Sequence, residues 1–169
     1  MYYQANSQLM PGQMISRSYA EIRGSSLAPN LRGYVLFTDV PYGTEVLVEV
    51  AGLPNYNPAD GNEDPIGPHG FHIHEHGTCE IENPNDPFQE AGGHWNPDQQ
   101  PHGHHAGDFP VLFSNNGYSK MSLFTDRFKA ADVVGKSVMI HQNPDDYRTQ
   151  PSGDSGKRIG CGVIQMYAY

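Results

Sequence analysis

Short runs in which apolar and polar residues alternate recur along most of this chain, which is the period of half-buried strands rather than helices. Residues 44–50 (TEVLVEV) show it most cleanly, with Val46, Val48 and Val50 on one face and Glu45 and Glu49 on the other. Before it, residues 19–23 and 31–39 (LRGYVLFTD) read as strands, and residues 40–43 as the turn between the second and third. After it come residues 70–74, 109–113, 118–125, 136–141 (KSVMIH) and 159–167 (IGCGVIQMY). Asn115, Asn116 and Gly117 are a turn signal just ahead of 118–125. No stretch has convincing helical spacing, residues 127–134 offer at most a short turn, and no internal repeat is present. The class is therefore all-β, a sandwich or barrel.

Between the strands lie long polar stretches. Residues 55–68 are rich in Asp, Asn and Pro, and residues 142–157 in Asp, Pro, Ser and Gly. A third irregular stretch runs from the end of 70–74 to residue 107. Irregular segments of that length are uncommon unless they carry function.

Composition narrows the picture further. The 169 residues suit one domain, read here as 18–169, behind a lead-in at 1–17. A net charge of −9, with no run of Lys or Arg, argues against a nucleic-acid partner or an anionic membrane surface. No stretch has the length and apolarity of a transmembrane segment. The first residues, MYYQANSQLMPGQMISR, lack a basic start followed by an apolar run, so no signal peptide is visible in this chain.

The candidate chemistry sits in residues 70–108, which hold most of the nine histidines. His72 and His74 alternate with Phe71 and Ile73, so on a strand both imidazoles leave one face. Their Cα atoms would be roughly 6.6 Å apart, a gap that two imidazole–metal bonds can close around one ion. His102, His105 and Asp108 form a second set, two nitrogens and a carboxylate, typical of closed zinc sites. His104 is an alternative to either neighbour. His94 lies between the sets, behind Gly92 and Gly93, and its two ring nitrogens can each hold a metal. The spacing therefore points to a two-metal site with His94 shared. The plainer alternative is a His-rich loop that binds metal only adventitiously. His141 ends an apolar strand and can complete a tetragonal copper set with His72 and His74. Glu75 reads as a solvated residue at a strand end.

Taken together, GFHIHEHG, AGGHWNP, HHAGD, VMIHQNPDD and GKRIGCGVI resemble the motifs of the copper–zinc superoxide dismutase family, in the family's order, with a bacterial-type character. The resemblance implies a flattened eight-stranded Greek-key β-barrel or sandwich, immunoglobulin-like in its layering, with two long metal-site loops. It implies copper on His72, His74, His94 and His141, and zinc on His94, His102, His105 and Asp108. It makes Asp145 the carboxylate that links ligands of the two metals, and Arg158 and His94 the catalytic pair beside the copper. Cys79 and Cys161, the only cysteines, match the family's intrachain disulfide. A bridge closing a loop of that length contributes roughly 4–5 kcal/mol in the chain-entropy model. The implied reaction disproportionates superoxide to oxygen and hydrogen peroxide, with the shared histidine releasing copper on reduction and taking up a proton. Arg148 and Lys157 are the only other cations between 142 and 158, which predicts catalysis that is slower or less sensitive to salt than in relatives with a lysine-bearing loop. The competing class is a non-catalytic metal-binding or coat protein on the same scaffold. The resemblance also implies an extracytoplasmic setting (secreted, periplasmic, or at a cell or spore surface). The lack of a visible leader keeps the cytoplasm open. The oligomeric state stays open too, a homodimer being one outcome.

Overall fold

A computed structural model describes residues 16–168. Strand β1 (Arg17–Gly24), β2 (Arg32–Val40) and β3 (Gly43–Ala51) form an antiparallel meander. After them come β4 (Phe71–His74), β5 (Tyr118–Thr125), β6 (Ser137–His141), β7 (Arg158–Val163) and β8 (Gln165–Met166). The only helical element among the described residues is a 3-10 turn at Gln89–Ala91. The hydrogen-bonded order is β4-β6-β7-β1-β2-β3-β5, with β8 against β1. The chain thus leaves β3 for the far end of the sheet, returns to β5 beside β3, and crosses back to β6. Those long crossings are the Greek-key feature of the sheet, which curls around one core.

Alternation decides which side faces that core. Val35 and Phe37 from β2, Val46, Val48 and Val50 from β3, and Ala20 and Ile22 from β1 are all buried in one cluster. Each large side chain removed from water contributes about 1.5–3 kcal/mol. Strand β4 is buried on both faces: Phe71 and Ile73 enter the core, and His72 and His74 emerge on the opposite side. Strand β6 repeats the arrangement, with Val138 and Ile140 in the core. Its ladder with β7 shifts register between Ile140 and His141, and His141 then faces Arg158. Such a bulge re-aims a side chain at the end of a strand. The barrel therefore presents His72, His74, His141 and Arg158 on one outer wall.

Two expectations are corrected. Residues 109–113 form no strand, only an isolated bridge between Leu112 and His69. Pro110 has no N–H to give a ladder, and Phe109 and Leu112 both turn inward, a spacing of three that breaks the period of two. The count of eight is kept because the last run divides. Ile164 bonds to Lys136 and Gly135 instead of a neighbouring strand, and β8 moves over to β1. The expected lead-in at 1–17 falls over residues 1–15 outside the described residues, and β1 begins at Arg17.

Candidate metal centre

Six imidazoles and two carboxylates gather against the outer wall, and five of the imidazoles, all but His105, have one nitrogen held by a carboxylate or a backbone carbonyl. His72 Nε2 donates to Asp145 Oδ2 at 2.6 Å. His74 Nδ1 donates to the Gly92 carbonyl at 3.0 Å, and His141 Nδ1 to the Gly156 carbonyl at 3.2 Å. Their free Nε2 atoms lie 3.3 Å apart. His94 Nδ1 sits 3.0 Å from Asp108 Oδ1, and its ring centroid is 3.9 Å from that of His72. His72, His74, His94 and His141 thereby bring four ligand atoms within 4.8 Å of one another.

A second group of the same compactness holds His94, His102, His105 and Asp108. Nδ1 of His102 and of His105 each lie 3.3 Å from an Asp108 oxygen. Asp108 Oδ2 also accepts the backbone N–H groups of Gly103 and His105. Asp145 joins the groups: its other oxygen accepts from His102 Nε2 at 2.9 Å, so one carboxylate orients a ring on each side. Gly153 lies hard against Asp145 and His102, where a Cβ would meet both side chains.

The residues fit two cations. His72 Nδ1, His94 Nε2, His102 Nδ1 and His105 Nδ1 are buried with no hydrogen-bond partner. Leaving one buried polar atom unsatisfied costs about 1–3 kcal/mol, and four such atoms in one place are explained by an ion's lone-pair demand. Four imidazole nitrogens suit copper, and three nitrogens with a carboxylate suit zinc. Electrostatics prepares the donors. Burial, reinforced by neighbouring imidazoles, holds His72 and His74 well below the ordinary histidine value. Burial and then His94 push His141 down to about 3. His105 is lowered mainly by burial. All four stay neutral near pH 7, with lone pairs free to coordinate. For Asp108, burial acts upward, but the His94 contact and the surrounding imidazoles outweigh it and keep the carboxylate ionised.

Beside the first group, Arg158 stands half-buried. Its Nη1 donates to the Phe88 carbonyl at 2.6 Å, and its Nη2 to Gly92 at 2.7 Å. Burial lowers its pKa and Asp86 acts the other way, but a guanidinium remains charged. The turn that supplies these carbonyls ends at Gly92, whose φ of 76° and ψ of −156° only glycine adopts readily. Cys79 and Cys161 form a disulfide that fastens this turn's segment to β7, packed with Phe88, Ala91 and Met139.

The other expected residues separate clearly. His104 is exposed and stands outside both groups, which leaves His102 and His105 as the inward pair. Glu75 is exposed, accepting the Gly93 N–H at 3.3 Å. Two further residues carry no sequence signal for their role. His69 is fully buried behind β6, its Nδ1 bonding to the His141 carbonyl at 2.9 Å. Arg127 reaches from beyond β5 to the His105 carbonyl at 2.7 Å. Both act on a backbone oxygen, which spacing along the chain does not reveal.

The family model described as copper/zinc superoxide dismutase (SODC) matches residues 31–164. A Deinococcus radiodurans protein named superoxide dismutase [Cu-Zn] is 36% identical over 150 residues, covering 79% of this chain and 76% of that one. A Legionella pneumophila protein of the same name is 36% identical over 141 residues, covering 79% and 77%. Among solved structures, a Cu/Zn superoxide dismutase from Brucella abortus superposes with a TM-score of 0.69 at 27% identity, over 88% of this chain and 99% of that one.

Proposed function

Because the chain belongs to the copper/zinc superoxide dismutase family, we propose that its paired histidine site disproportionates superoxide, two anions and two protons giving oxygen and hydrogen peroxide. The observation that carries this reading is the shared His94, whose two ring nitrogens belong one to each ligand group. His72, His74, His94 and His141 would hold copper, and His94, His102, His105 and Asp108 would hold zinc. When bound, copper supplies a one-electron couple that takes an electron from one superoxide and returns it to the next, while zinc has no redox chemistry.

The chain's own residues do the rest. Arg158 presents a fixed positive charge beside His141 and binds the anion, against an overall charge of −9 that repels it at long range. Its backbone acceptors hold the guanidinium in one place, so the anion is oriented as well as attracted. His94 Nε2 is the atom that holds one of the two protons and passes it to the peroxide. Asp145 keeps His72 and His102 in the tautomers that turn their Nδ1 atoms inward. Every ligand comes from one chain, so a homodimer is not required for the chemistry. The Cys79–Cys161 disulfide supports an extracytoplasmic setting, where such bridges persist. No helix among the described residues is long and apolar enough to cross a membrane.

The test is metal analysis with a dismutase assay on the copper- and zinc-loaded protein. We expect one ion of each metal per chain and rapid turnover, with Arg158→Ala lowering the rate about tenfold at unchanged metal content. Full copper occupancy with no turnover would overturn the enzymatic reading in favour of a metal-binding protein on this scaffold.

A further inference from the structure

The zinc-side loop has neither strand nor helix to fix His102, and the backbone there is held from outside. Gln150, in the loop of residues 142–157, accepts the His102 N–H on Oε1 at 2.8 Å. Its Nε2 donates back to the His102 carbonyl at 3.3 Å. A primary amide thus pairs with this one residue as a facing residue does in an antiparallel ladder. The same Nε2 also donates to the Arg148 carbonyl at 3.3 Å, which steadies the amide. Further contact comes at Gly103, which has a φ of 89° and packs so close to the Tyr147 carbonyl that a Cβ would sit 2.6 Å away. The Asp145 contact sets the plane and tautomer of the His102 ring. The Gln150 contact sets where the backbone that carries the ring lies. Two restraints at opposite ends of one residue leave its Nδ1 a single position, 3.3 Å from Asp108 and without a hydrogen-bond partner.

We propose that Gln150 is a positioning residue for His102, acting through the backbone, so that its amide couples zinc uptake to the order of residues 142–157 separately from the Asp145 contact with the ring. The proposal rests on the reading of His94, His102, His105 and Asp108 as the zinc set. Coupling of this kind is reciprocal: a loop that holds His102 for zinc is itself held by the zinc.

The test measures zinc affinity by chelator competition on the disulfide-intact full chain, for the parent, Gln150→Ala, Gln150→Glu and Thr149→Ala. Thr149 bonds Asp146 and does not touch His102, so its variant loosens the same loop without releasing the ligand. Gln150→Ala should weaken zinc binding about tenfold, within the range for residues that support a ligand. Gln150→Glu keeps the acceptor and loses the donor, so it should fall between Gln150→Ala and the parent. Thr149→Ala should stay within about twofold of the parent. With cobalt in the zinc site at saturation, the visible bands of Gln150→Ala should differ from those of the parent, because the His102 donor is no longer fixed. Equal zinc affinity and equal cobalt spectra for Gln150→Ala and the parent would overturn the proposal, as would an equal loss in Thr149→Ala. A parent that takes up no zinc while folded with its disulfide intact would overturn the zinc reading itself, and this proposal with it.

Discussion

The barrel and the loops on its outer wall are ordered by opposite means. In the barrel, strands β1, β2 and β3 pair residue against residue, and their inward side chains are wholly apolar apart from a few hydroxyls. Residues 75–117 contain one 3-10 turn of three residues and no named strand. Their buried polar groups are His94, His102, His105 and Asp108, beside a few apolar side chains such as Phe88, Phe109 and Leu112, and their backbone bonds often end on side chains. Apolar burial stabilises the first region whatever the solvent holds. The second collects imidazoles whose inward nitrogens lack hydrogen-bond partners around one carboxylate, an arrangement that a cation would complete. One region is held by its apolar core, and the other, besides the disulfide and a few apolar contacts, leaves a polar interior for ions to complete.

That contrast can be broken deliberately. The largest effect should come from His94→Ala, which removes the one side chain common to both groups. Dismutation should fall to background and both metals should be lost, with the far-UV circular dichroism of the barrel retained; retention of both metals would refute the shared-ligand geometry. Phe37→Ala strikes the other half. It should cost about 3–5 kcal/mol in urea unfolding, with metal stoichiometry in the folded protein unchanged. Replacing Cys79 and Cys161 by serine should cost about 2–5 kcal/mol. Hydrogen exchange should locate the loosening in residues 78–92, and Arg158 should lose its fixed carbonyls.

The smallest effect is a pH dependence of the metal-free protein. His72, His74 and His141 refuse in the fold a proton they accept near 6.5 when unfolded. The unfolded chain therefore binds more protons as pH falls, so stability falls with it, beginning near the ordinary histidine value and continuing until His141 protonates at about 3. From pH 7.5 to 6.5 the three together should remove about 1 kcal/mol, read as a shift in the urea midpoint. A flat midpoint would show that these rings are not buried neutral.

The same division governs what can be read from the sequence. Alternation over residues 118–125 matches β5 residue for residue, and that over 44–50 lies within β3. There a local pattern and the tertiary environment agree. They part company at Phe109–Pro110–Val111–Leu112, where Phe109 and Leu112 belong to the core but their spacing and the proline exclude a ladder. In the site, the residue types and their spacing are legible because metals demand particular donors. Which nitrogen of each ring faces inward is not legible, because it is set by distant acceptors such as Asp145, Gly92 and Gly156. Phe88 in a left-handed conformation, Arg127 on His105 and Gln150 on His102 are equally hidden, since each acts across tens of residues on a peptide group that every residue possesses.

One oxygen carries more than its share of this design. The Gly92 carbonyl receives both His74 Nδ1 and Arg158 Nη2, so a single peptide plane aligns the proposed copper ligand and the proposed anchor for the anion. A tilt of that plane shifts the two in unison rather than one against the other. Under those proposed roles, wobble of the turn would leave the distance between redox centre and docked reactant nearly constant, like two needles geared to one spindle.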